Sequence, residues 1–477
     1  MNLQDLQPEL ILQICENLCQ HCLEKHSNLP RYEIWDRNPE ASPCRQALVS
    51  LSLVSKRVGA IAQTVLYHHF GFLEQSPLAP FYFCRTISEN PNLARKIRLL
   101  YTTHVPEMPD IEEARNWLPG VLDKFKKQLD FPPLPQGVEN IFDNTYPSSR
   151  YLIPALILFQ VPRLEHIYVA GRGNWAMFNM IDRKAMLIGD FLPKGVKSLG
   201  VGALGLHDTG TEWKKSLDIS EKGAGRFLAA FNRLSALCLH SPTGSITIAR
   251  PSLDNVRTLR LSESALTIEQ LRDLIQTTKC LEEFAYQQAI YNSSDTQAAI
   301  SSQAILEVLA DRKETLRRVI LYVGWRNDPV VSAKCLTGLE ELKVNGDALR
   351  NMLQLLQNHE DLKHDALIDV FPPSIHTLHL DIACRSFRYM QEAIASYIES
   401  TYRSSPVEQK LKRVVIHYRH LETLRHNGPT QRVTEELIEV FRAFFQNRCQ
   451  RWLRNGTLEI YVPFTVSRFK RWYLMDE

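Results

Sequence analysis

The sequence predicts an α/β protein: a small helical module at the N-terminus, followed by an irregular array of strand–helix units whose short strands line up as a curved parallel sheet. Three observations carry that prediction. Nine segments between Leu164 and Tyr418 repeat one pattern, in which an apolar residue and two mostly polar ones precede an apolar residue that begins period-two alternation. Stretches with helical periodicity lie between them. The first 70 residues instead carry narrow apolar stripes at helical spacing, and the stretch from Arg45 to Phe70 is by itself too small to hold together without a partner.

A chain of 477 residues corresponds to about three domains, or to fewer if part of it is an elongated repeat array. Hydrophobic residues make up 44% and charged residues 23%, with a formal net charge of only +3. That balance excludes wholesale disorder and a strongly basic surface, so no nucleic-acid partner is expected. The opening MNLQDLQPEL has no basic segment followed by an apolar core, and the longest apolar run, Leu152 to Val161, falls far short of the roughly 20 residues of a membrane helix. No membrane partner is expected either, and the chain reads as soluble and intracellular, in cytoplasm or nucleus. Ten cysteines without a repeating spacing fit buried thiols in a reducing compartment rather than a disulfide framework.

In chain order, Leu6, Leu10, Ile14, Leu18 and Cys22 step by four, flanked by Ile11, Cys15 and Cys19, which predicts one amphipathic helix from Leu3 to about Cys22. Asp5 is its expected N-cap. Pro8 and Glu9 suit a first turn, where a missing N–H is harmless and a carboxylate meets the positive end of the dipole. Residues His26 to Pro43, with Pro30, Pro39 and Pro43, break the pattern and read as an inserted loop. Two short helices follow between Arg45 and Phe70. Ala47, Leu48 and Leu51 mark the first; after a cap at Ser55, Val58, Ile61, Ala62, Val65 and Leu66 form the stripe of the second. His68 and His69 close it, where a partly protonated imidazole suits the negative end of the dipole.

These residues carry a resemblance. Leu6, Pro8, Glu9, Leu10 and Ile14, with Leu48, Leu51, Val54, Ser55, Lys56, Arg57, Ala62, Leu66 and Tyr67, make the region similar to the F-box, in the version that opens many fungal F-box proteins. Gln7 stands where a proline is common, and the linker between the first two helices is longer than usual. The resemblance covers about the first 70 residues. It implies a three-helix module that binds a Skp-type adaptor and through it a cullin, with Leu6, Pro8, Leu10, Ile14, Leu48, Leu51 and Val54 on the adaptor face or supporting it.

Beyond the module, Arg85 to Leu100 reads as a short helix, a turn at Asn90-Pro91-Asn92 and a strand; Val105 to Asp143 reads as a helix between irregular segments, containing Trp117, Val121, Leu122 and Phe125. The repeated strands begin at Leu164, Val196, Leu234, Val256, Leu281, Leu316, Leu339, Ile375 and Leu411, at intervals of about 22 to about 38 residues. Helical periodicity is clearest at Phe227 to Phe231, Ile268 to Ile275, Ile305 to Leu309, Leu349 to Leu356, Met390 to Ile398 and Leu437 to Phe445. One short strand per unit describes a solenoid, whereas a doubly wound sheet would need longer apolar strands and a glycine-rich turn after the first. The strands resemble the divergent leucine-rich repeats found behind F-boxes. The expected organisation is therefore an F-box at 1–70 with an inserted loop at about 23–45, a linking region and first repeat-like unit at 71–163, and an irregular leucine-rich-repeat-like solenoid at 164–477, whose last segment, from Arg448 with a strand at Leu458 to Val462, caps the stack.

Motifs for catalysis are absent from the sequence: there is no phosphate loop, no G-x-S-x-G elbow, no H-E-x-x-H and no paired C-x-x-C. SPTGS at Ser241 and GRGNW at Gly171 read as turns. Cys15, Cys19, His21, Cys22 and His26 have the chemistry of zinc ligands, but the cysteines fall at i, i+4, i+7 on the leucine face of the predicted helix, where they serve as small hydrophobes; no metal and no cofactor is expected. Trp175, Trp213 and Trp325, just beyond predicted strands and near glycines, are the candidate target-binding residues. With the resemblance, the expectation is a non-catalytic substrate-receptor subunit of an SCF-type cullin-RING ubiquitin ligase that binds an unknown target protein. The alternatives are an F-box scaffold or regulatory interaction protein that does not promote degradation, and an enzyme whose site is assembled from loops with no linear motif.

Overall fold

The computed structural model describes residues 3–24, 41–72, 78–102, 149–170, 193–202, 230–245, 253–288, 300–323, 332–345, 370–383, 387–404, 411–419, 442–454 and 458–461, with shorter pieces at 116–117, 119–121, 217–219, 227–228, 367–368, 439–440 and 464–465. The fold is α/β, and the chain divides into two compact units between Leu253 and Asp254. The positions 70 and 163 both fall inside the first unit.

The first unit opens with a 3-10 turn at Leu3–Asp5 and the helix α1, Pro8–Asn17. Pro8 and Glu9 stand in the first turn, as the sequence predicts. Two expectations are corrected here. Asp5 lies in the 3-10 turn and Gln7 is the N-cap, without a side-chain cap bond. The single helix to Cys22 is broken: the N–H groups of Leu18 and Cys19 reach back only three residues, to the carbonyls of Cys15 and Glu16, and a separate short helix α2 runs Gln20–Glu24. Tightening to three-residue bonds ends a helix even where the apolar period continues unbroken.

Helix α3, Ala41–Val54, begins inside the expected loop, with Pro43 in its first turn, where it forfeits no hydrogen bond. Ser55 then caps α4, Lys56–Leu66, its side chain accepting from the Val58 N–H at 3.2 Å. Ile11, Cys15, Cys19, Cys22, Leu48, Val58, Ala62 and Val65 form the buried core of these helices. The packing of α3 on α4 is close enough that a β-carbon on Gly59 would stand 2.5 Å from the Ser52 carbonyl oxygen.

His68 and His69 do not end a helix as expected. The chain leaves α4 after Tyr67, and strand β1, His69–Phe72, pairs in parallel with β2, Leu99–Thr102. Between them α5, Ala79–Glu89, starts six residues earlier than Arg85 would place it, and Pro91 opens a short helix, α6, Pro91–Ala94, in place of a simple turn. Helix α7, Ser149–Gln160, precedes β3, His166–Ala170, and β4, Ser198–Gly202, follows. After β5, Leu217–Asp218, come β6, Ala236–His240, and β7, Pro242–Thr243. The strands β1, β2, β3, β4 and β6 are hydrogen-bonded in that order, all parallel, while β5 pairs with β7. The expected turn at Ser241 is bent backbone, with Ser241 at φ 54 and Gly244 at φ 83, but it also holds β7.

The second unit alternates strand and helix more regularly. Its elements are β8 (Thr258–Ser264), α8 (Ile268–Thr277), β9 (Glu283–Gln288), α9 (Ser302–Leu309), β10 (Arg318–Tyr322), β11 (Glu341–Asn345), β12 (Thr377–Ala383), α10 (Phe387–Ser404), β13 (Arg413–Arg419), α11 (Gln450–Arg454), β14 (Glu459–Tyr461) and β15 (Phe464–Thr465). Strands β8 to β14 run in chain order, with β15 also pairing β13, and the pairings are parallel. All nine strands expected from the repeated pattern are present across the two units. The pattern has a backbone cause. At each strand entry two consecutive N–H groups donate to one carbonyl of the preceding strand's entry: Arg317 and Arg318 to Glu282, Glu340 and Glu341 to Arg317, His376 and Thr377 to Glu340. The two mostly polar residues of each repeat make those bonds, and the apolar residue before them, Leu281, Leu316, Leu339 or Ile375, is buried.

Candidate docking surface and a buried cysteine–histidine cluster

Helices α1 and α3, with Leu6 just before α1, hold the residues expected to face an adaptor, and the structure sorts them. Leu48 is 3% exposed and belongs to the core. Leu6 and Leu51 are half-buried against it. Pro8, Leu10, Ile14 and Val54 are exposed, Leu10 by 45%. Four exposed apolar residues join them that the sequence did not single out: Leu12, Leu23, Val49 and Leu53, the last 80% exposed. A helix such as α3, with Leu48, Val49, Leu51, Leu53 and Val54 around its circumference, has too weak an apolar preference for either side to reveal which residues face outward. The two halves of the module are tied by Arg57, which donates to the Leu6 carbonyl oxygen at 2.8 Å.

Behind this surface the break at Leu18 turns Cys19, His21 and Cys22 toward the end of α4. The Cys22 Sγ lies 3.4 Å from His68 Nδ1 and 3.7 Å from His21 Nδ1. The donor atoms of Cys19, His21, Cys22 and His68 all lie within 4.8 Å of one another. Cys19, His21 and Cys22 are buried and His68 is half-buried. A hydrogen bond with Cys19, and then burial, push the Cys22 thiol well above its ordinary pKa. His21 also stands in a second group with Glu165 and His166, at the start of β3; the His21 and His166 rings are 5.7 Å apart. The C-x-x-C spacing of Cys19 and Cys22 was the available signal. Its second half, His68, is 46 residues away from Cys22, and only the fold brings it near.

In the second unit, one face of the sheet carries a ladder of charge. Arg260 Nη2 lies 2.6 Å from Glu283 Oε1, Arg318 lies 3.8 Å from Glu283 and 3.0 Å from Glu341, and His379 Nε2 lies 3.3 Å from Glu341. The alternation of sign follows the strand order β8, β9, β10, β11, and His379 of β12 meets the last carboxylate. Burial pushes the Glu341 carboxyl up, but the hydrogen bond with His379 and the charge of Arg318 outweigh it and hold the carboxyl below its usual range. Arg260 is 1% exposed and Lys343 7%, while Arg318, Glu341 and His379 are half-buried. Trp175, Trp213 and Trp325 lie outside the described residues, as do the expected helix at Leu349 to Leu356 and most of Val105 to Asp143.

No helix among the described residues is long and apolar enough to cross a membrane. No family model matches the chain, and no curated protein matches its sequence.

Proposed function

We propose that the protein is the substrate-receptor subunit of an SCF-type cullin-RING ubiquitin ligase. In this reading α1, α3 and α4 are the three helices of an F-box that docks on a Skp-type adaptor and through it a cullin. The strand–helix units are an irregular leucine-rich-repeat-like solenoid that holds a target protein. The chain contributes position rather than chemistry, raising the concentration of target lysines near a ubiquitin-loaded enzyme.

The observation that carries the proposal is the concentration of exposed large apolar side chains on the helical module: Leu10, Leu12, Ile14, Val49, Leu53 and Val54 on α1 and α3. Exposed large apolar side chains concentrated on one small module are the kind of surface that marks an interaction site. Fully burying one such side chain contributes about 1.5–3 kcal/mol, so several together exceed the lower estimates of the cost of association, about 4 kcal/mol.

The test is co-purification of the intact chain with adaptor and cullin. Wild type is expected to recover both, and Leu10→Asp combined with Leu53→Asp is expected to lose both while keeping the wild-type melting temperature, because neither side chain belongs to the core. Failure of the wild-type chain to bind the adaptor would sink the proposal. A captured partner whose half-life is the same with and without residues 1–70 would assign the protein instead as a non-degradative scaffold.

A further inference from the structure

We propose that Cys19, His21, Cys22 and His68 form a structural zinc site that staples the short helix after α1 to the junction of α4 and β1. The distances fit the ion. With Zn–S near 2.3 Å and Zn–N near 2.0–2.1 Å, the edge between a sulfur and a nitrogen of a tetrahedron is about 3.6 Å. The two sulfur–nitrogen separations at Cys22, 3.4 and 3.7 Å, bracket that value. Two thiols and two imidazoles, all four donor atoms within 4.8 Å of one another, supply the ligand set of a closed structural site.

The surroundings distinguish this cluster from ordinary buried cysteines. Cys15, Cys19 and Cys22 all belong to the buried core of the helices, but Cys15 is in none of the ligand groups. Cys19 and Cys22 meet two imidazoles, His21 on the same short helix as Cys22 and His68 just after α4, an arrangement that an apolar core has no use for. On binding, the two thiol protons leave, and two thiolates neutralise the charge of the divalent ion, so the loaded site carries no net charge into a buried place. Glu165 and His166, within 4.8 Å of a His21 donor atom, stand where an outer carboxylate or imidazole orients a ligating histidine. The site also answers a need: a helical module of this size is short of core, and a metal is one of the few ways to make up the difference.

The experiment uses the full-length chain purified without chelator. Elemental analysis is expected to find one zinc per chain, retained in Cys15→Ser and lost in Cys19→Ser, Cys22→Ser and His68→Gln. His166→Gln is expected to keep the stoichiometry and weaken zinc binding by about tenfold, as an outer residue does. If the cysteine variants fail to fold, the wild-type protein decides alone: stripped of zinc and titrated with cobalt(II), it is expected to give tetrahedral ligand-field bands with a thiolate-to-cobalt charge-transfer band. Absence of zinc and of those cobalt bands would overturn the site. So would zinc that survives Cys19→Ser with Cys22→Ser, or two fewer titratable thiols under non-reducing denaturation, which would indicate a Cys19–Cys22 disulfide. None of these readouts involves the adaptor.

Discussion

Gly59 is the fourth residue of α4, inside the helix, where a glycine ordinarily costs about 0.5–1 kcal/mol relative to alanine. Its place is set by contact: the 2.5 Å approach of a β-carbon to the Ser52 carbonyl oxygen leaves no room for a methyl group. Gly59→Ala is therefore expected to destabilise the module by about 2 kcal/mol, the cost of overpacking, despite the gain in helix propensity. An unchanged or raised urea midpoint would contradict this. Glu283 poses the same kind of question in the second unit, since its carboxylate faces the buried Arg260 on one side and Arg318 on the other. Glu283→Ala is expected to cost about 3 kcal/mol, because it strips a buried guanidinium of its carboxylate, whereas a surface pair would cost under about 1 kcal/mol. Chemical denaturation separates the two magnitudes. Neither residue was legible as special in the sequence: Gly59 matters through Ser52 on the preceding helix, and Glu283 through two neighbouring strands.

At the scale of elements, periodicity served well where an element has one buried side. Helix α8 runs Ile268–Thr277 with Leu271, Leu274 and Ile275 buried, and a capping box joins Thr267 and Gln270 at its start. Its other end is finished by a residue from further along the chain: Arg312 donates to the carbonyl oxygens of Thr278, Ile275 and Gln276 at 3.0, 3.2 and 3.0 Å. A cation on the last carbonyls of a helix satisfies their lone pairs and meets the negative end of the dipole. Arg312→Ala is expected to cost about 1–2 kcal/mol and to speed amide hydrogen exchange in the last turn of α8 ahead of the rest of the unit. Uniform protection across α8 in the variant would count against that role. Boundaries were harder to read than elements. The 3-10 tightening that ends α1 and the start of α3 at Ala41 follow from local hydrogen bonding, which the apolar period does not encode.

For the whole molecule, the governing fact is that strands β8 to β14 of the second unit pair in the order of the chain. Strand β12 pairs with β13 over seven residues, Thr377 to Ala383 against Arg413 to Arg419. Ending the chain after Lys410 is expected to uncover that edge and drive association, since an unpaired strand edge is a template for another chain. Sedimentation showing a monomer with wild-type melting would refute it. The sequence by itself determined that the protein is α/β, where the repeated strands begin, that Ser55 caps α4 and that the N-terminal residues are helical, because each of these is written in local spacing and local hydrogen-bonding needs. Tertiary structure decided which leucines of α1 and α3 stand outside, that His69–Phe72 is a strand, and that His68 meets Cys19, His21 and Cys22. Those outcomes depend on register and chain path between residues far apart in sequence, which no short-range period records.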